Sequence, residues 1–375
     1  LVKDIKSGRG LSSNPAGLTA VGNTLYFQAD DGINGQELWK SDGTATGTVM
    51  VKDINNGTSH SYINGLTAMG NTLYFRANDG ISGYELWKSD GTTAGTVVVK
   101  DINNGSGSSS PNYLTAIGNT LYFSAYGTNG YELWKSDGTT AGTVMVSGTY
   151  GTPTAVGTTL YFSAYNGTNG TELWKSDGTA NGTVMVKDIN SGSNSSSPVY
   201  FTAVGNTLYF RANDGINGQE LWKSDGTEAG TIMVKDIRSG INGSYLNYLT
   251  AIGNTLYFAA YNVSGYGLWK SDGTATGTMM VNGNTSSPPH FLTAVGNTLY
   301  FGTYDVTNGT ELWKSDGTSS GTVMIKDINN VSGNYLNYLT AVGNTLYFRA
   351  DDGINGYELW KSDGTEAGTV MVKDI

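Results

Sequence analysis

The chain is built from one unit that recurs eight times. Its eight Trp residues lie 40 to 48 residues apart, so each Trp marks one repeat of about 47 residues. A Leu-Tyr-Phe triplet recurs with the same spacing and accounts for eight of the ten Phe. Repetition at this period limits the chain to folds in which similar units stack on one another. The repeats are marked by Trp39, Trp87, Trp134, Trp174, Trp222, Trp269, Trp313 and Trp360.

The first complete repeat predicts four short strands. Residues 18–21 and 24–29 are separated by a Gly-Asn turn, and the second segment alternates β-forming side chains. Residues 37–40 predict a third strand, and an Asp-Gly turn leads into a fourth at 48–54. Four antiparallel strands with short connections are one blade of a β-propeller. We therefore expect an all-β chain whose residues 1–375 form a single eight-bladed β-propeller.

The aromatic residues of each repeat predict the core. A single blade is a small twisted sheet that cannot bury both faces, so neighbouring blades must pack on it. The Trp and the Leu-Tyr-Phe aromatics are suited to fill the space between blades, since each buries about 150–250 Å². We interpret the Trp series as core rather than as a ligand site.

Composition and charge exclude several functions. Charged residues make up 14% of the chain, and the net charge is -10 without a basic cluster, so nucleic acid is a poor partner. No apolar run approaches the roughly 20 residues of a membrane helix, so we expect no membrane insertion. The chain has no Cys, which removes disulfides, thiolate metal sites and thiol nucleophiles. This composition fits an extracellular protein.

The motif that contains each Trp carries a family resemblance. Glu-Leu-Trp-Lys-Ser-Asp-Gly-Thr occurs in every repeat, with Gly267 in place of Glu in one copy. It resembles the ELWxxDGT repeat of large secreted and surface-attached bacterial proteins. The resemblance implies a β-propeller-like repeat, located outside the cell or at the cell surface, and it supplies no catalytic residues or cofactor. We expect a non-enzymatic adhesive or structural protein with an extracellular or cell-surface partner.

The fourth-strand sequence occurs nine times, once more than the other strands. In a ring closed by strand exchange, the N-terminal copy would complete the last blade and leave the C-terminal copy free to pair with another molecule. One hypothesis is that the extra copy is a cap or the cut end of a longer array. A second is strand donation between molecules, which gives fibres by self-association. A third is an open spiral. The two copies are Leu1, Val2, Lys3, Asp4 and Ile5, and Met371, Val372, Lys373, Asp374 and Ile375.

Two repeated charged motifs have structural interpretations. The Asp of Lys-Ser-Asp-Gly-Thr, such as Asp42, recurs eight times, whereas an enzyme needs one asymmetric group of residues. We expect each Asp to cap backbone N–H groups of its turn. The Lys-Asp pair of the fourth strand, as in Lys52 and Asp53, predicts a solvated outer edge that discourages strand pairing.

The loop between the second and third strands is rich in oxygen in four blades. These loops could hold Ca²⁺, although their spacing does not match the usual calcium loop, and ordinary Asx turns are the alternative. An Arg precedes three of the loops (Arg76, Arg211, Arg349) and offers the acid another partner. The candidate calcium ligands are Asp30, Asp31, Asp79, Asp214, Asp351 and Asp352.

Exposed Tyr residues suggest a second function, a multivalent carbohydrate-binding lectin. Tyr rings beside Asn and Asp suit sugars, because a ring stacks on the sugar face and amides bond its hydroxyls. The test that separates this hypothesis from a purely structural role is sugar binding that is lost when the loop Tyr are replaced. The candidates before the third strand are Tyr84, Tyr131, Tyr266 and Tyr357, and those in the crossovers are Tyr62, Tyr113, Tyr200, Tyr245 and Tyr335.

Overall fold

The structure is a computed structural model that describes residues 1–8, 11–128, 130–149, 151–285, 287–305, 309–329 and 336–373. The chain divides into two compact units. The first contains Leu1–Tyr165 and Trp174–Val184, and the second contains Asn166–Leu173 and Met185–Ile375.

The described residues form eight sheets of four strands, and in each sheet the strands lie in chain order. We call these sheets blades 1 to 8. Blades 1 to 4 consist of β1 (Ala16–Val21), β2 (Thr24–Asp30), β3 (Gln36–Ser41), β4 (Val49–Lys52), β5 (Asn64–Met69), β6 (Thr72–Asn78), β7 (Tyr84–Ser89), β8 (Val97–Lys100), β9 (Asn112–Ile117), β10 (Thr120–Gly127), β11 (Gly130–Ser136), β12 (Val144–Ser147), β13 (Thr154–Val156), β14 (Thr159–Tyr165), β15 (Thr171–Ser176) and β16 (Val184–Lys187). Blades 5 to 8 consist of β17 (Val199–Val204), β18 (Thr207–Asn213), β19 (Gln219–Ser224), β20 (Ile232–Lys235), β21 (Asn247–Ile252), β22 (Thr255–Asn262), β23 (Gly265–Ser271), β24 (Met279–Thr285), β25 (His290–Val295), β26 (Thr298–Asp305), β27 (Gly309–Ser315), β28 (Val323–Lys326), β29 (Asn337–Val342), β30 (Thr345–Asp351), β31 (Tyr357–Ser362) and β32 (Val370–Lys373).

The core lies between neighbouring blades, as the aromatic repeats predict. Successive side chains of a strand point to opposite faces, so the Leu and Phe of each triplet face one neighbour and the Tyr faces the other. In the first unit, Tyr26 and Leu38 of blade 1 pack with Leu73, Phe75 and Trp87 of blade 2. The same arrangement recurs in both units. Because both faces of the inner strands are buried, each blade depends on its neighbours for stability.

The fourth strand is shorter than expected, because its last residues turn inward. β4 ends at Lys52, and the N–H of Ile54 donates to the Glu37 carboxylate at 2.8 Å. Glu37 is fully buried, and burial raises its pKa to about 7. The corresponding Glu accepts the Ile N–H of its own blade in four other blades, at Glu85, Glu172, Glu220 and Glu311. This Glu therefore fixes the start of the crossover to the next blade.

The prediction of a solvated Lys-Asp edge is wrong. Lys52 is half-buried and donates to the carbonyl oxygen of Thr96 in blade 2 at 2.8 Å. Its ammonium also lies 5.7 Å from the centre of the Trp87 ring, a cation–π distance. The side chain therefore joins two blades instead of facing water. The same bond is made by Lys100 to Thr143, Lys187 to Thr231, Lys235 to Thr278 and Lys326 to Thr369.

The Lys-Ser-Asp-Gly-Thr turn also joins blades. Asp42 accepts hydrogen bonds from the N–H and the hydroxyl of Thr44, which confirms the predicted turn role. In blade 3, the turn residue Gly138 has a φ of 88° and packs against the Tyr74 hydroxyl of blade 2, where a Cβ would collide with it. Lys88 of blade 2 donates to the Gly138 carbonyl at 2.9 Å. The repeated motif thus encodes both a tight turn and a contact with the preceding blade.

Candidate functional site

Most of the predicted binding residues lie at one end of their blades. In blade 1, Ala16 of β1 pairs with Gln28 of β2, and Asp30 of β2 pairs with Gln36 of β3. The crossover that enters β1 and the loop between β2 and β3 therefore lie at the same end, which we call the loop end. The Lys-Ser-Asp-Gly-Thr turn lies at the other end, after β3.

The candidate calcium ligands are used as acceptors within their own loops. Asp31 Oδ1 accepts the N–H groups of Ile33 and Asn34, both at 2.8 Å, and Asp31 Oδ2 accepts the Asn34 amide at 2.7 Å. Burial raises the pKa of Asp31, but these hydrogen bonds outweigh it and hold the pKa below its usual value. Asp79, Asp214 and Asp352 form the same turn, while Asp30 and Asp351 accept a Gly N–H.

These loops are therefore Asx turns, which was the alternative to a calcium site. Within the described ranges no group of three or more His, Cys, Asp or Glu is arranged to hold a metal. Calcium binding stays an untested prediction. The predicted pairing of Arg with the loop acid is wrong for Arg76 and Arg211, since Arg76 donates to Asn112 at 2.8 Å and Arg211 donates to the Leu246 carbonyl at 3.2 Å.

The four candidate Tyr each belong to a different blade. Tyr84 lies under the Arg76 guanidinium at 5.5 Å, and Tyr357 lies under that of Arg349 at 4.0 Å. The two others form cross-strand aromatic pairs, since Tyr131 contacts Tyr126 with ring centres 5.5 Å apart and Tyr266 contacts Tyr261 at 4.8 Å. They are therefore four local environments rather than one common site.

A series of aromatic residues at the loop end holds a strained backbone. At the second position of the first strand, blades 1 and 2 have Gly with φ values of 67° and 68°. Five other blades place an aromatic residue there with φ between 55° and 60°, although a bulky side chain disfavours this region. All five rings are exposed to solvent. They are Tyr113, Tyr200, Tyr248, Phe291 and Tyr338.

Only part of this series was predicted from the sequence. Tyr113 and Tyr200 were predicted to lie in crossovers, whereas the structure places them within β9 and β17. The alignment of Gly17 and Gly65 with aromatic residues at the same place in the repeat is the signal that would have found the others. Tyr335 lies outside the described residues.

A pocket of about 350 Å³ lies at the loop end between blades 1 and 2. Tyr62 of the crossover and Tyr84 of β7 form one wall, with ring centres 6.2 Å apart. Its polar lining includes Gln28, Gln36, Asn64 and Arg76. Two of these residues were predicted from the sequence as ligand-binding candidates. Tyr84 was predicted among the Tyr before the third strand, and Tyr62 among the crossover Tyr.

His60 positions two groups of this pocket. Its Nδ1 accepts the N–H of Gln36 at 2.7 Å, and its ring meets the edge of Tyr62 at 5.6 Å. Tyr62 itself has a φ of 48° and is about half exposed. The geometry provides an aromatic surface beside amide and guanidinium donors, which is the chemistry of a small polar ligand site.

The two terminal copies of the fourth strand reverse the expected arrangement. The C-terminal copy forms β32, in which Met371 pairs with Trp360 and Lys373 with Leu359 of β31. The last blade is therefore completed by the C-terminal copy, and the prediction that the N-terminal copy completes it is wrong. Asp374 and Ile375 lie outside the described residues.

The N-terminal copy, residues 1–5, belongs to none of the eight sheets that the described residues form. It lies on blade 1, where Lys3 donates to the carbonyl oxygen of Thr48 at 2.8 Å. Ile5 packs against Phe27 and Trp39. These contacts match those of the fourth strand of blade 1 on blade 2, where Lys52 donates to Thr96 and Ile54 packs in a cluster with Trp87. The N-terminal copy thus lies on the surface of blade 1 that corresponds to the surface of blade 2 contacted by the fourth strand of blade 1.

The fold and the repeated contacts define the chain as an eight-bladed β-propeller. It is similar to the crystal structure of the computationally designed Ika8 protein, with 16% identity and a TM-score of 0.51 over 96% of this chain and 98% of that chain. It is also similar to prolyl oligopeptidase B from Galerina marginata, with 13% identity and a TM-score of 0.50 over 83% of this chain and half of that chain. At these identities the likeness shows the fold alone.

No protein-family model and no curated protein matches the sequence. The resemblance to the ELWxxDGT repeat is therefore not tested by these comparisons. The described residues include no helix that is long and apolar enough to cross a membrane.

Proposed function

We propose that the protein is a non-enzymatic, extracellular adhesive or structural module that self-associates through its terminal strands. The observation that supports this proposal is the N-terminal copy of the fourth strand, which is seated on blade 1 by the Lys3 to Thr48 bond yet belongs to no sheet. Its contacts with blade 1 are those that a fourth strand makes with the following blade. It lacks a third strand to pair with among the described residues.

The missing partner is a third strand with a free edge. In the last blade that edge is occupied by β32, whose Val-Lys sequence is identical to residues 2–3. Replacement of β32 by the N-terminal copy of a second molecule would restore the pairs that Met371 and Lys373 make with Trp360 and Leu359, and it would add the contacts of blade 1 on the last blade. Such a contact is head to tail, so it repeats without closing and produces chains of molecules.

A non-enzymatic role is supported by the use of the repeated carboxylates. Asp42 and its equivalents accept hydrogen bonds from their own turns, and Glu37 and the corresponding Glu of four other blades hold the crossover. The repeated acids therefore have structural partners.

An engineered disulfide tests the exchange. The chain has no Cys, so Lys3→Cys combined with Leu359→Cys introduces the only thiols. If residues 1–5 replace β32, residue 3 lies opposite residue 359 as Lys373 does now, at the separation that a disulfide spans. We expect reducible oligomers of the double variant, absent from each single variant, and light scattering that shows loss of self-association when residues 1–5 are deleted. Disulfides formed only within one chain, or oligomers that survive the deletion, would refute intermolecular exchange.

The second candidate function is carbohydrate binding, and the pocket between blades 1 and 2 favours it. The pocket combines the half-exposed ring of Tyr62 and the partly buried ring of Tyr84 with amide groups, which suits sugars. The test is binding of simple glycosides to the protein and to a Tyr62→Asn variant. This variant keeps the backbone conformation, because Asn14 occupies the equivalent position of the first crossover with a φ of 44°.

A further inference from the structure

The pocket between blades 1 and 2 is distinguished by its charge. The chain carries 31 acidic residues against 21 basic ones, yet the residues that line this pocket include no carboxylate and one cation, Arg76. The side chains of Gln28, Gln36 and Asn64 supply uncharged donors and acceptors around it. A ligand in this pocket therefore meets one positive charge within a ring of amides.

Arg76 is held in place by two neighbouring side chains. Its guanidinium stacks over Tyr84 at 5.5 Å, and Nη1 donates to Asn112 at 2.8 Å. A guanidinium carries five N–H donors. The Nε of Arg76 is buried and has no hydrogen-bond partner among the described residues, so the terminal Nη groups are the ones that a ligand would meet. An Arg that is positioned in this way is suited to a carboxylate, which accepts two parallel hydrogen bonds from it.

The equivalent Arg of blade 5 shows what a purely structural role looks like. Arg211 stacks on Tyr200 at 4.7 Å, and its Nη1 lies within bonding distance of both the Leu246 carbonyl and Asn247. Burial lowers the pKa of Arg211, as expected for a guanidinium enclosed by protein. Arg76 has the same position in the repeat but lines a pocket.

Tyr62 supplies the second feature. Its position before the first strand has a positive φ in other crossovers too, where Asn14, Ser110 and Ser197 occupy it with φ values of 44° to 47° and Tyr245 with 49°. Asn tolerates this conformation better than Tyr, so Tyr62 holds a disfavoured backbone conformation while its ring is half exposed. His60 contacts the edge of the ring and orients it beside Tyr84. The Tyr62 ring therefore lines the pocket on a backbone with a positive φ.

We propose that this pocket binds an acidic saccharide, with the carboxylate of a uronic acid on Arg76, a sugar face on Tyr62, and hydroxyl groups on Gln28, Gln36 and Asn64. The volume of about 350 Å³ is at the lower end of the range for ligand pockets, which fits a ligand of one or two rings. This inference rests on the carbohydrate-binding candidate function and names its ligand class. It is independent of self-association.

The chain itself provides conservative variants for a test. Gln28 stands in blade 1 where Arg76 stands in blade 2, and Asn14 stands where Tyr62 stands, so Arg76→Gln and Tyr62→Asn introduce residues that the repeat already accepts. Arg211→Gln is the matched control. Binding of methyl glucuronide, methyl glucoside and acetate is measured by NMR titration of the full chain at low and high salt.

We expect methyl glucuronide to bind more tightly than methyl glucoside and acetate. Arg76→Gln should weaken glucuronide binding about 10- to 100-fold and remove the preference for the acid, because a charge-assisted bond is lost. Tyr62→Asn should weaken the binding of both glycosides, and Arg211→Gln should change the binding of neither. Of the two glycosides, only the glucuronide should bind more weakly at high salt.

The other outcomes distinguish failure of the acidic ligand class from failure of carbohydrate binding itself. Equal binding of glucoside and glucuronide that depends on Tyr62 would refute the acidic ligand and leave carbohydrate binding in place. Acetate binding as tight as glucuronide would refute a saccharide. Glycoside binding that survives both pocket variants, or no binding of any probe, would refute the site.

Discussion

The buried Glu that holds each crossover predicts an unusual dependence of stability on pH. Glu220 is fully buried, and it accepts the N–H groups of Ile237 at 3.1 Å and Arg238 at 3.3 Å. Burial raises its pKa from 4.5 to about 7, against the lowering effect of these hydrogen bonds. A carboxyl whose pKa is raised by folding stabilises the folded state fully below the unfolded pKa, and that contribution is lost as the pH rises through the folded pKa.

The magnitude follows from the two pKa values. A shift from 4.5 to about 7 corresponds to at most about 3 kcal/mol, of which about 2.5 kcal/mol falls between pH 5 and pH 8. The Asp residues of the turns do not interfere, because hydrogen bonds from Thr side chains lower their pKa and their contribution changes only in more acidic solution. His290 contributes to the pH dependence with the opposite sign, because burial lowers its pKa. The contribution of His290 cancels when the unfolding free energies of the natural protein and of a variant that keeps His290 are subtracted.

The assay is urea unfolding of the natural protein and of Glu220→Gln from pH 5 to pH 8.5. Gln matches the protonated Glu in shape and does not titrate. We expect the variant to gain about 2 to 3 kcal/mol relative to the natural protein as the pH rises across this range. A control at the exposed Glu228 of the same blade should show no such change. Parallel curves for the natural protein and Glu220→Gln would refute the assignment of a raised pKa to this carboxyl.

The contacts between blades give two further predictions, both measured by thermal unfolding. Gly138→Ala should cost about 1–3 kcal/mol, because a Cβ at a φ of 88° meets the Tyr74 hydroxyl, whereas Gly118→Ala meets no atom and should cost only backbone strain. If Tyr74→Phe restored none of the loss, the collision would not be its cause. Lys100→Met should cost about 1 kcal/mol through the bond to Thr143 and the contact with Trp134, and the exposed Lys361→Met should cost nothing measurable. Equal effects of the two Lys variants would show that the bond between blades contributes nothing.

The repeat could be predicted from the sequence because its signals are local. The Leu-Tyr-Phe strand alternates side chains within three residues, and Trp39 lies opposite Phe27 in the neighbouring strand, so the strands and the core follow from pattern and turn chemistry. The Asp of the turn could be predicted for the same reason, since the Asp42 carboxylate accepts its hydrogen bonds from Thr44, two residues away.

The errors arose where a side chain acts on another repeat. Lys52 looks like a solvated edge residue until its acceptor, Thr96, is brought beside it by the next blade. Arg76 is three residues from Asp79 in the chain, but it bonds to Asn112 of the following blade. The pocket has the same origin, because Gln28, Tyr62 and Tyr84 come from three separate segments. Contacts of this kind depend on how blades stack, which a single repeat does not specify.

Blade 6 shows that the buried Glu and the Lys-Asp-Ile sequence after the fourth strand depend on each other. It is the blade that has Gly267 in place of Glu, and its fourth strand continues as Asn282-Gly283 where most blades have Lys-Asp-Ile. In blade 1 the Ile54 N–H turns inward and donates to the Glu37 carboxylate. Blade 6 has no Ile at this position, so a Glu at residue 267 would lack this donor. Instead β24 stays paired to β23 as far as Thr285, and a side chain at Gly267 would collide with Asn282 and Met280.

Blade 3 supports the same conclusion from the other direction. It has no Lys-Asp-Ile but does have Glu132, which accepts the Trp134 indole N–H at 3.2 Å. The other carboxylate oxygen of Glu132 is buried and has no partner among the described residues. Because an unsatisfied buried acceptor is costly, Glu132→Gly should be tolerated far better than Glu85→Gly, whose carboxylate holds both Ile102 and Ser109. If thermal unfolding showed equal losses for these two variants, the Glu would not act through the crossover.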